Sequence, residues 1–222
     1  MISLTLHLLL PVDISPQNQI TGQLLAEVWQ ALDPIPPDGV ERNPFSKEDF
    51  MKDGFEEARR WFSGMIYGYK FSYEPSDLNR QVEEVMDLLP LGEIPWGDSA
   101  LKFLDSRVME KEGRIYLRFT YDLSRSQITQ LDSGRRQTLK PAGGRGGVQD
   151  KFLLSDRWDA LKMGLKEGIR SYLRPREYNK PRRITGEIFL RRPPSILNSQ
   201  GQIFATTDFY LHVQEIREYL IP

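Results

Sequence analysis

Short segments in which every second residue is apolar dominate this sequence, and they limit the chain to folds that contain antiparallel sheet. The segments with this period are 66–73, 101–109, 114–123, 182–192 and 203–213. In the clearest of them, Ile115, Leu117 and Phe119 alternate with charged or polar residues, as on the two faces of a half-buried strand. Gly113 supplies a hairpin turn before this segment. Short turns of this kind favour antiparallel hairpins over parallel strands, which need long crossovers.

Two other segments have the period of a helix. In the first, which begins after the expected N-cap Ser46, Phe55, Trp61 and Phe62 fall on one face. The second covers residues 156–174 and ends at a proline. Weaker helical spacing predicts further helices over 20–32, 76–89, a short stretch after Ser124, and 215–220.

This order of elements predicts an α+β fold in which amphipathic helices pack on antiparallel sheet. Residues 1–45 are expected to hold an N-terminal strand or vestigial signal, a helix and a Pro-rich linker. Residues 46–222 are expected to form one α+β domain. Because each half contains a helix that leads into strands, we interpret 46–133 and 151–222 as degenerate duplicates. The Gly-rich residues 134–150 predict a mobile loop between them.

The residue inventory excludes several chemistries. Among 222 residues there is no cysteine, so disulfides, thiolate zinc sites and cysteine catalysis are absent. Only His7 and His212 are histidines, which excludes a multi-histidine metal site. No nucleophile–base pair and no phosphate-binding loop is present in the sequence. We therefore assign no catalytic residue, no metal ligand and no cofactor, and the sequence leans away from an enzyme without deciding the matter.

The N-terminus permits two interpretations. Residues 1–12 are apolar over about the length of a signal-peptide core, but no positively charged segment precedes them. Alternation of Ile2, Leu4 and Leu6 with polar residues also fits an edge strand. An exported protein and a cytoplasmic one both remain open, and no run of residues is long and apolar enough to span a membrane.

The charge is divided unevenly along the chain. Residues 1–133 carry a net charge of −9 and residues 134–192 carry +10, whereas the whole chain is −1. Within the basic part, one cluster of cations is a candidate anion-binding site: Arg170, Arg174, Arg176, Lys180, Arg182, Arg183 and Arg191. Guanidinium groups bind phosphate and carboxylate with paired hydrogen bonds. The alternative is that these cations pair with the acidic part of the chain.

Three sequence blocks resemble uncharacterised, exported bacterial proteins of a spirochaete type. The blocks are residues 62–73, 94–98 and 174–183, and the resemblance covers the chain from about residue 45 to its end. It implies a location in the cell envelope. It implies no activity and no catalytic residues.

Three hypotheses for function follow. The first is a non-catalytic binding or structural protein that acts through protein partners, in the cell envelope. The second is an anion-binding module that uses the Arg-rich region 170–192 for nucleic acid or an acidic polymer. The third is a hydrolase that uses paired carboxylates, since the sequence does not show which carboxylates meet in space. The sequence does not define an oligomeric state.

Overall fold

A computed structural model describes residues 22–32, 47–132, 139–150, 153–176 and 180–219. The helices and strands within these ranges are β1 Gln23–Ala31, α1 Lys47–Ile66, β2 Tyr69–Glu74, β3 Val85–Pro90, β4 Leu101–Met109, β5 Arg114–Asp122, α2 Arg125–Asp132, β6 Lys140–Gln149, α3 Leu154–Leu173, β7 Arg183–Leu190, β8 Ser195–Ser199 and β9 Gln202–Arg217. The predictions for residues 1–21 and for the 33–45 linker lie outside the described residues.

The strands form two antiparallel sheets. The smaller sheet has the strand order β1-β5-β4. The larger has six strands in the order β3-β2-β7-β9-β6, and β8 pairs with β9 off this path. The predicted α+β class is confirmed. The division into domains and the duplicated halves stay predictions.

Helix α1 packs between the two sheets, as its wide apolar surface requires. On one side its Phe55 ring lies 4.8 Å from that of Phe119 in β5. On the other side, Gly64 allows Tyr69 and Leu190 of the larger sheet to approach closely. The predicted helix is confirmed, although Ser46, the expected N-cap, lies outside the described residues.

The prediction of a helix over 20–32 is wrong, because β1 occupies this segment. All nine of its residues pair with β5. Ala26 and Val28 are buried, whereas Leu25 points outward and is 55% exposed. The apolar residues of this segment fit both a helical spacing and the alternation of a strand, and pairing with β5 stabilises the strand.

A helix over 76–89 is also wrong. Asp77 accepts hydrogen bonds from the backbone of Asn79 and Arg80, which holds a single 3-10 turn, and β3 then pairs with β2. The apolar residues that suggested a helix include Leu78 and Leu89, which are 91% and 63% exposed. They therefore supply no buried face for a helix.

The hairpin from β4 to β5 is confirmed, with Gly113 in the left-handed region at φ 61°. The short helix after Ser124 is confirmed as α2. The backbone N–H of Ser124 donates to the side chain of Gln127, and the Gln127 N–H donates back to the Ser124 hydroxyl.

The loop predicted for 134–150 is wrong for Lys140–Gln149, which forms β6 and pairs with β9 along its whole length. Its glycines allow the backbone of β6 to pack closely against the backbone of α3. A Cβ atom at Gly144 would lie 2.3 Å from the carbonyl oxygen of Gly164 and from the amide nitrogen of Gly168. Residues 134–138 of that loop lie outside the described part of the chain.

The C-terminal strands extend further than expected. The strands predicted over 182–192 and 203–213 are confirmed as β7 and β9. A helix over 215–220 is wrong, because β9 continues to Arg217 and pairs there with Arg183. The sequence did not indicate β8, which follows two prolines.

The position of α3 on the larger sheet places the candidate site. Gly164 lies against β6 and β9, while Lys166 forms an ion pair with Glu84, just before β3. These two helix positions point about 200° apart. Helix α3 therefore packs on one end of the larger sheet and reaches the segment before β3, at its other end, through the side chain of Lys166. No described helix is both long and apolar enough to cross a membrane.

A candidate anion-binding cleft

Three of the seven predicted binding residues meet at one cleft, beside the C-terminal end of α3. The cleft has a volume of about 330 Å³, within the roughly 300–1,000 Å³ that is usual for ligand sites. It is lined by Tyr73, Pro75, Ser76, Glu84, Arg170, Leu173, Arg174, Lys180, Pro181 and Ile184. The cations are Arg170, Arg174 and Lys180, and the apolar wall includes Leu173 and Ile184.

The local sequence explains how these cations come together. Arg170 and Arg174 are one turn apart, so they lie on the same side of α3. Cations are also favoured at the C-terminal end of a helix, where unpaired carbonyl groups carry partial negative charge. Lys180 arrives from the chain that leads into β7, and its Nζ donates to the carbonyl oxygen of Ser76 at 2.8 Å.

One carboxylate, that of Glu84, lies in the wall of the cleft. Its oxygens accept hydrogen bonds from the Tyr73 hydroxyl at 2.6 Å and from Lys166 Nζ at 2.8 Å. Arg170 is 4.0 Å away. Burial alone would raise the pKa of Glu84, but the hydrogen bonds and the two cations together lower it. Burial and this carboxylate raise the pKa of Tyr73.

The cleft keeps positive charge that no described carboxylate neutralises. The Arg174 side chain is exposed and has no hydrogen-bond or ion-pair partner among the described residues. Within the described ranges, the one hydrogen bond of Lys180 Nζ is to the carbonyl oxygen of Ser76. Arg170 also pairs with Glu167 at 3.3 Å, and its side chain is 51% exposed. Arg174 and Lys180 are therefore available to an anion.

The other four predicted residues lie elsewhere or are already paired. Arg183 pairs with Glu74 of β2, and Arg176 covers the Tyr172 ring and donates to its carbonyl oxygen. The Arg182 side chain is exposed, beside the cleft wall. Arg191 pairs with Asp208 at the far end of β7, about 26 Å along the strand from Arg183. The single cluster expected from sequence is thus divided.

Sequence reasoning missed three residues of this site: Tyr73, Glu84 and Lys166. Tyr73 lies in the segment 66–73 that has the period of a strand, and it is buried, but its hydroxyl reaches the cleft. Glu84 was placed in a helix that does not form. One signal was available, because Lys162, Lys166, Arg170 and Arg174 recur at every fourth position of α3.

A pair of carboxylates also meets in the structure, as the hydrolase hypothesis requires. Asp53 and Glu57 are one turn apart on α1. Arg157 Nη1 donates to both carboxylate oxygens of Glu57, at 3.1 and 2.8 Å, and Nη2 donates to the Trp29 carbonyl oxygen. Burial raises the pKa of Glu57 against the opposing effect of Arg157. The pKa of Asp53 is raised as well, mainly by burial and then by the nearby negative charge of Asp49.

The surroundings of this pair favour a structural role. The adjoining cavity, which Asp53 lines, has a volume of only about 70 Å³, well below the range of ligand sites. Arg157 engages both oxygens of Glu57, so the carboxylate is not free to act on a substrate. Its clearest effect is to join α1, α3 and β1. Among the described residues, no three carboxylate or imidazole groups converge as metal ligands.

The fold and the cleft define an α+β protein in which a helix packs on an antiparallel sheet and a cationic cleft opens beside the C-terminal end of that helix. The chain belongs to an uncharacterised protein family, whose model matches residues 13–219. An uncharacterised protein of Treponema pallidum (strain Nichols) is 25% identical over 158 residues. The match covers 71% of this chain and 66% of the relative, just under two thirds of its length. The resemblance to uncharacterised spirochaete proteins is confirmed. No solved structure matches the chain.

Proposed function

We propose that this chain is a non-catalytic binding protein that recognises an anionic segment of a protein partner. The observation that carries the proposal is the convergence of Arg170, Arg174 and Lys180 on one cleft. A carboxylate that enters the cleft meets guanidinium and ammonium donors, and such charge-assisted hydrogen bonds are stronger than neutral ones. The wall of Leu173 and Ile184 adds apolar contact beside the charge.

A protein partner fits this cleft better than a nucleic acid does. Nucleic-acid binding draws on many phosphate contacts along an extended basic surface. Two arginines that would extend the surface, Arg183 and Arg191, are paired with Glu74 and Asp208. The cleft instead offers a small number of cations beside apolar residues, which suits one or two acidic side chains.

The test is the binding of fluorescently labelled polyglutamate to the full chain, measured by anisotropy. We expect binding that weakens as salt is added. The double variant Arg174→Ala/Lys180→Ala should weaken it about tenfold, which is about 1.4 kcal/mol. The matched control is Lys111→Ala/Arg125→Ala, which removes two exposed cations elsewhere in the chain and should leave binding unchanged.

Equal loss in both double variants would show that only net charge matters, and would overturn the assignment of the cleft. So would binding that does not change with salt. A labelled single-stranded oligonucleotide serves as a competitor. If it displaces polyglutamate at lower concentration and the cleft variant abolishes its binding, the partner is a nucleic acid and the proposal of a protein partner fails.

We further propose an extracytoplasmic location, which rests on the apolar residues 1–12 and on the resemblance described above. The intact mass of the native protein tests it. Loss of roughly the first 15–20 residues, the length of a signal peptide, is the expected result. A native protein that retains them would contradict export.

A further inference from the structure

The outer edge of β3 is open to another strand. Within the described residues β3 pairs only with β2. The Leu91 N–H donates to the Gly68 carbonyl oxygen, and backbone groups alternate in direction along a strand. Val85, Asp87 and Leu89 therefore turn their backbone groups toward β2. Met86 and Leu88 turn theirs to the open edge, where Pro90 has no N–H to offer.

A row of cations on α3 faces this edge. Lys162 and Lys166 lie on the side of the helix opposite Gly164, and Arg170 and Arg174 continue the row at every fourth position. Trp158 precedes the cations at the same spacing. Lys162 is 40% exposed and only loosely paired with Asp159, at 3.8 Å. Lys166 is the best neutralised of the row, through Glu84.

The open edge and the helix run side by side. At one end, Lys166 contacts Glu84. At the other, a cleft of about 370 Å³ is lined by Leu88 and Pro90 of β3 and by Trp158 of α3. The six residues of β3 span about 20 Å, and Trp158 to Arg170 spans about 18 Å of helix. β3 and this part of α3 therefore lie beside each other between this cleft and the anion-binding one, and we call the space along them the groove.

We propose that an acidic segment of the partner binds in extended form along this groove and adds a strand to the edge of β3. The proposal rests on the function proposed above and names the form of the partner. The backbone of the segment would pair with the outward groups of Met86 and Leu88, as in other cases of strand addition. Lys166 reaches Glu84 at one end of β3 and Trp158 shares a cleft with Leu88 and Pro90 at the other, so an added strand would lie near the cationic row.

The register of such a strand dictates the sequence of the segment. Side chains of a strand alternate between its two faces, so every second residue of the added strand would point toward α3. Acidic residues at those positions would meet Lys162, Arg170 and Arg174, and β-branched residues between them favour the extended form. An open backbone edge is useful to a peptide and not to a nucleic acid, which favours a peptide here.

The test uses a peptide of alternating Glu and Val and the full chain. Met86→Pro removes the outward N–H, at an edge position where proline is tolerated. Met86→Ala is the matched control, which loses the side chain and keeps the N–H. We expect Met86→Pro to weaken peptide binding about tenfold relative to Met86→Ala. Polyacrylate, which carries carboxylates but no backbone amides, should bind both variants equally.

A second form of the test leaves the protein unchanged. The same peptide can be N-methylated on the backbone amides of either its odd-numbered or its even-numbered residues, which we call its two methylation phases. One of the two forms loses the amides that would pair with β3, and we expect that form to bind more weakly. If neither phase differs from the parent peptide, strand addition is overturned. If binding still depends on Arg174 and Lys180, the function proposed above survives that result. If no probe binds the wild-type chain, both proposals fall.

Discussion

The two sides of α3 show opposite solutions to packing a helix against a sheet. Toward β6, Gly164 and Gly168 meet Gly144 and Gly146, and the two backbones come into direct contact. Toward β3, the helix carries long cationic side chains, and two clefts open between the helix and this end of the sheet. On the side of β6, which we call the sealed side, the glycines leave no space between helix and strand. On the side of β3, which we call the open side, the long side chains leave clefts.

This difference shows how one helix can both stabilise the fold and form a binding surface. Close backbone contact fixes the axis of α3 on the sealed side, because interiors pack without voids. The fixed axis then presents the cations of the open side in a constant geometry. We expect substitutions on the sealed side to change stability, and substitutions on the open side to change binding.

The largest effect is expected from Arg157→Met, which removes the ion pair that joins α3 to α1. The variant leaves the carboxylate of Glu57 buried without its partner, at an expected cost of about 3–5 kcal/mol in the free energy of unfolding. Denaturant unfolding measures the loss. The double variant Arg157→Met/Glu57→Met should recover most of it, and a double variant as unstable as the single one would contradict the assignment of this pair.

The next effect should come from Gly146→Ala on the sealed side. Its Cβ would lie 2.3 Å from the Gly164 amide nitrogen, so the strand and helix must separate, at about 1–3 kcal/mol. Gly22→Ala is the control, because its Cβ would meet only an Ile128 methyl group at an ordinary 3.5 Å. Similar midpoints of unfolding for the two variants would show that the backbones are not in close contact.

Glu84→Gln should produce a smaller effect that depends on pH. The pKa of Glu84 is lowered in the folded protein, so its ionised form adds stability that is present above the ordinary Glu pKa of 4.5 and is lost as pH falls through the lowered value. We expect the variant to be about 1 kcal/mol less stable than wild type at neutral pH. In acid the two proteins should converge. A difference that stayed constant with pH would contradict this account.

Arg174→Ala should have the smallest effect on stability. The side chain has no described partner, so unfolding should change by no more than about 0.5 kcal/mol. Polyglutamate binding should nevertheless weaken several-fold. Loss of stability without loss of binding would place Arg174 in the structural part of the helix.

Sequence alone predicted the elements whose own pattern settles their structure. Helices α1 and α3 have continuous apolar stripes, and the start of α2 has a reciprocal cap at Ser124. Strands β1 and β6 were not predicted, because their structure depends on partners distant in the chain. Strand β3 pairs with its neighbour β2, and it was missed because its apolar residues also fit a helical spacing. For β6, glycines that are typical of a loop serve instead to approach α3.

The candidate site was predicted only in part, because a local pattern reveals some of its residues and distant segments supply the others. The cations of α3 follow from local sequence, since Arg170 and Arg174 share one side of a helix. Their neighbour Glu84 comes from a segment 82 residues away from Lys166, and no local pattern links the two. Arg183 and Arg191 looked alike in sequence, but the length of β7 separates them.

Hydrogen exchange of the full chain, with and without the alternating Glu–Val peptide, distinguishes the two sides of α3. The open side of α3 should bind the peptide and the sealed side should not. We predict slower amide exchange in residues 85–90 and 166–174 when the peptide is present, with no change in residues 140–149. Slower exchange along β6, or unchanged exchange along β3 and α3 at saturating peptide, would contradict the account.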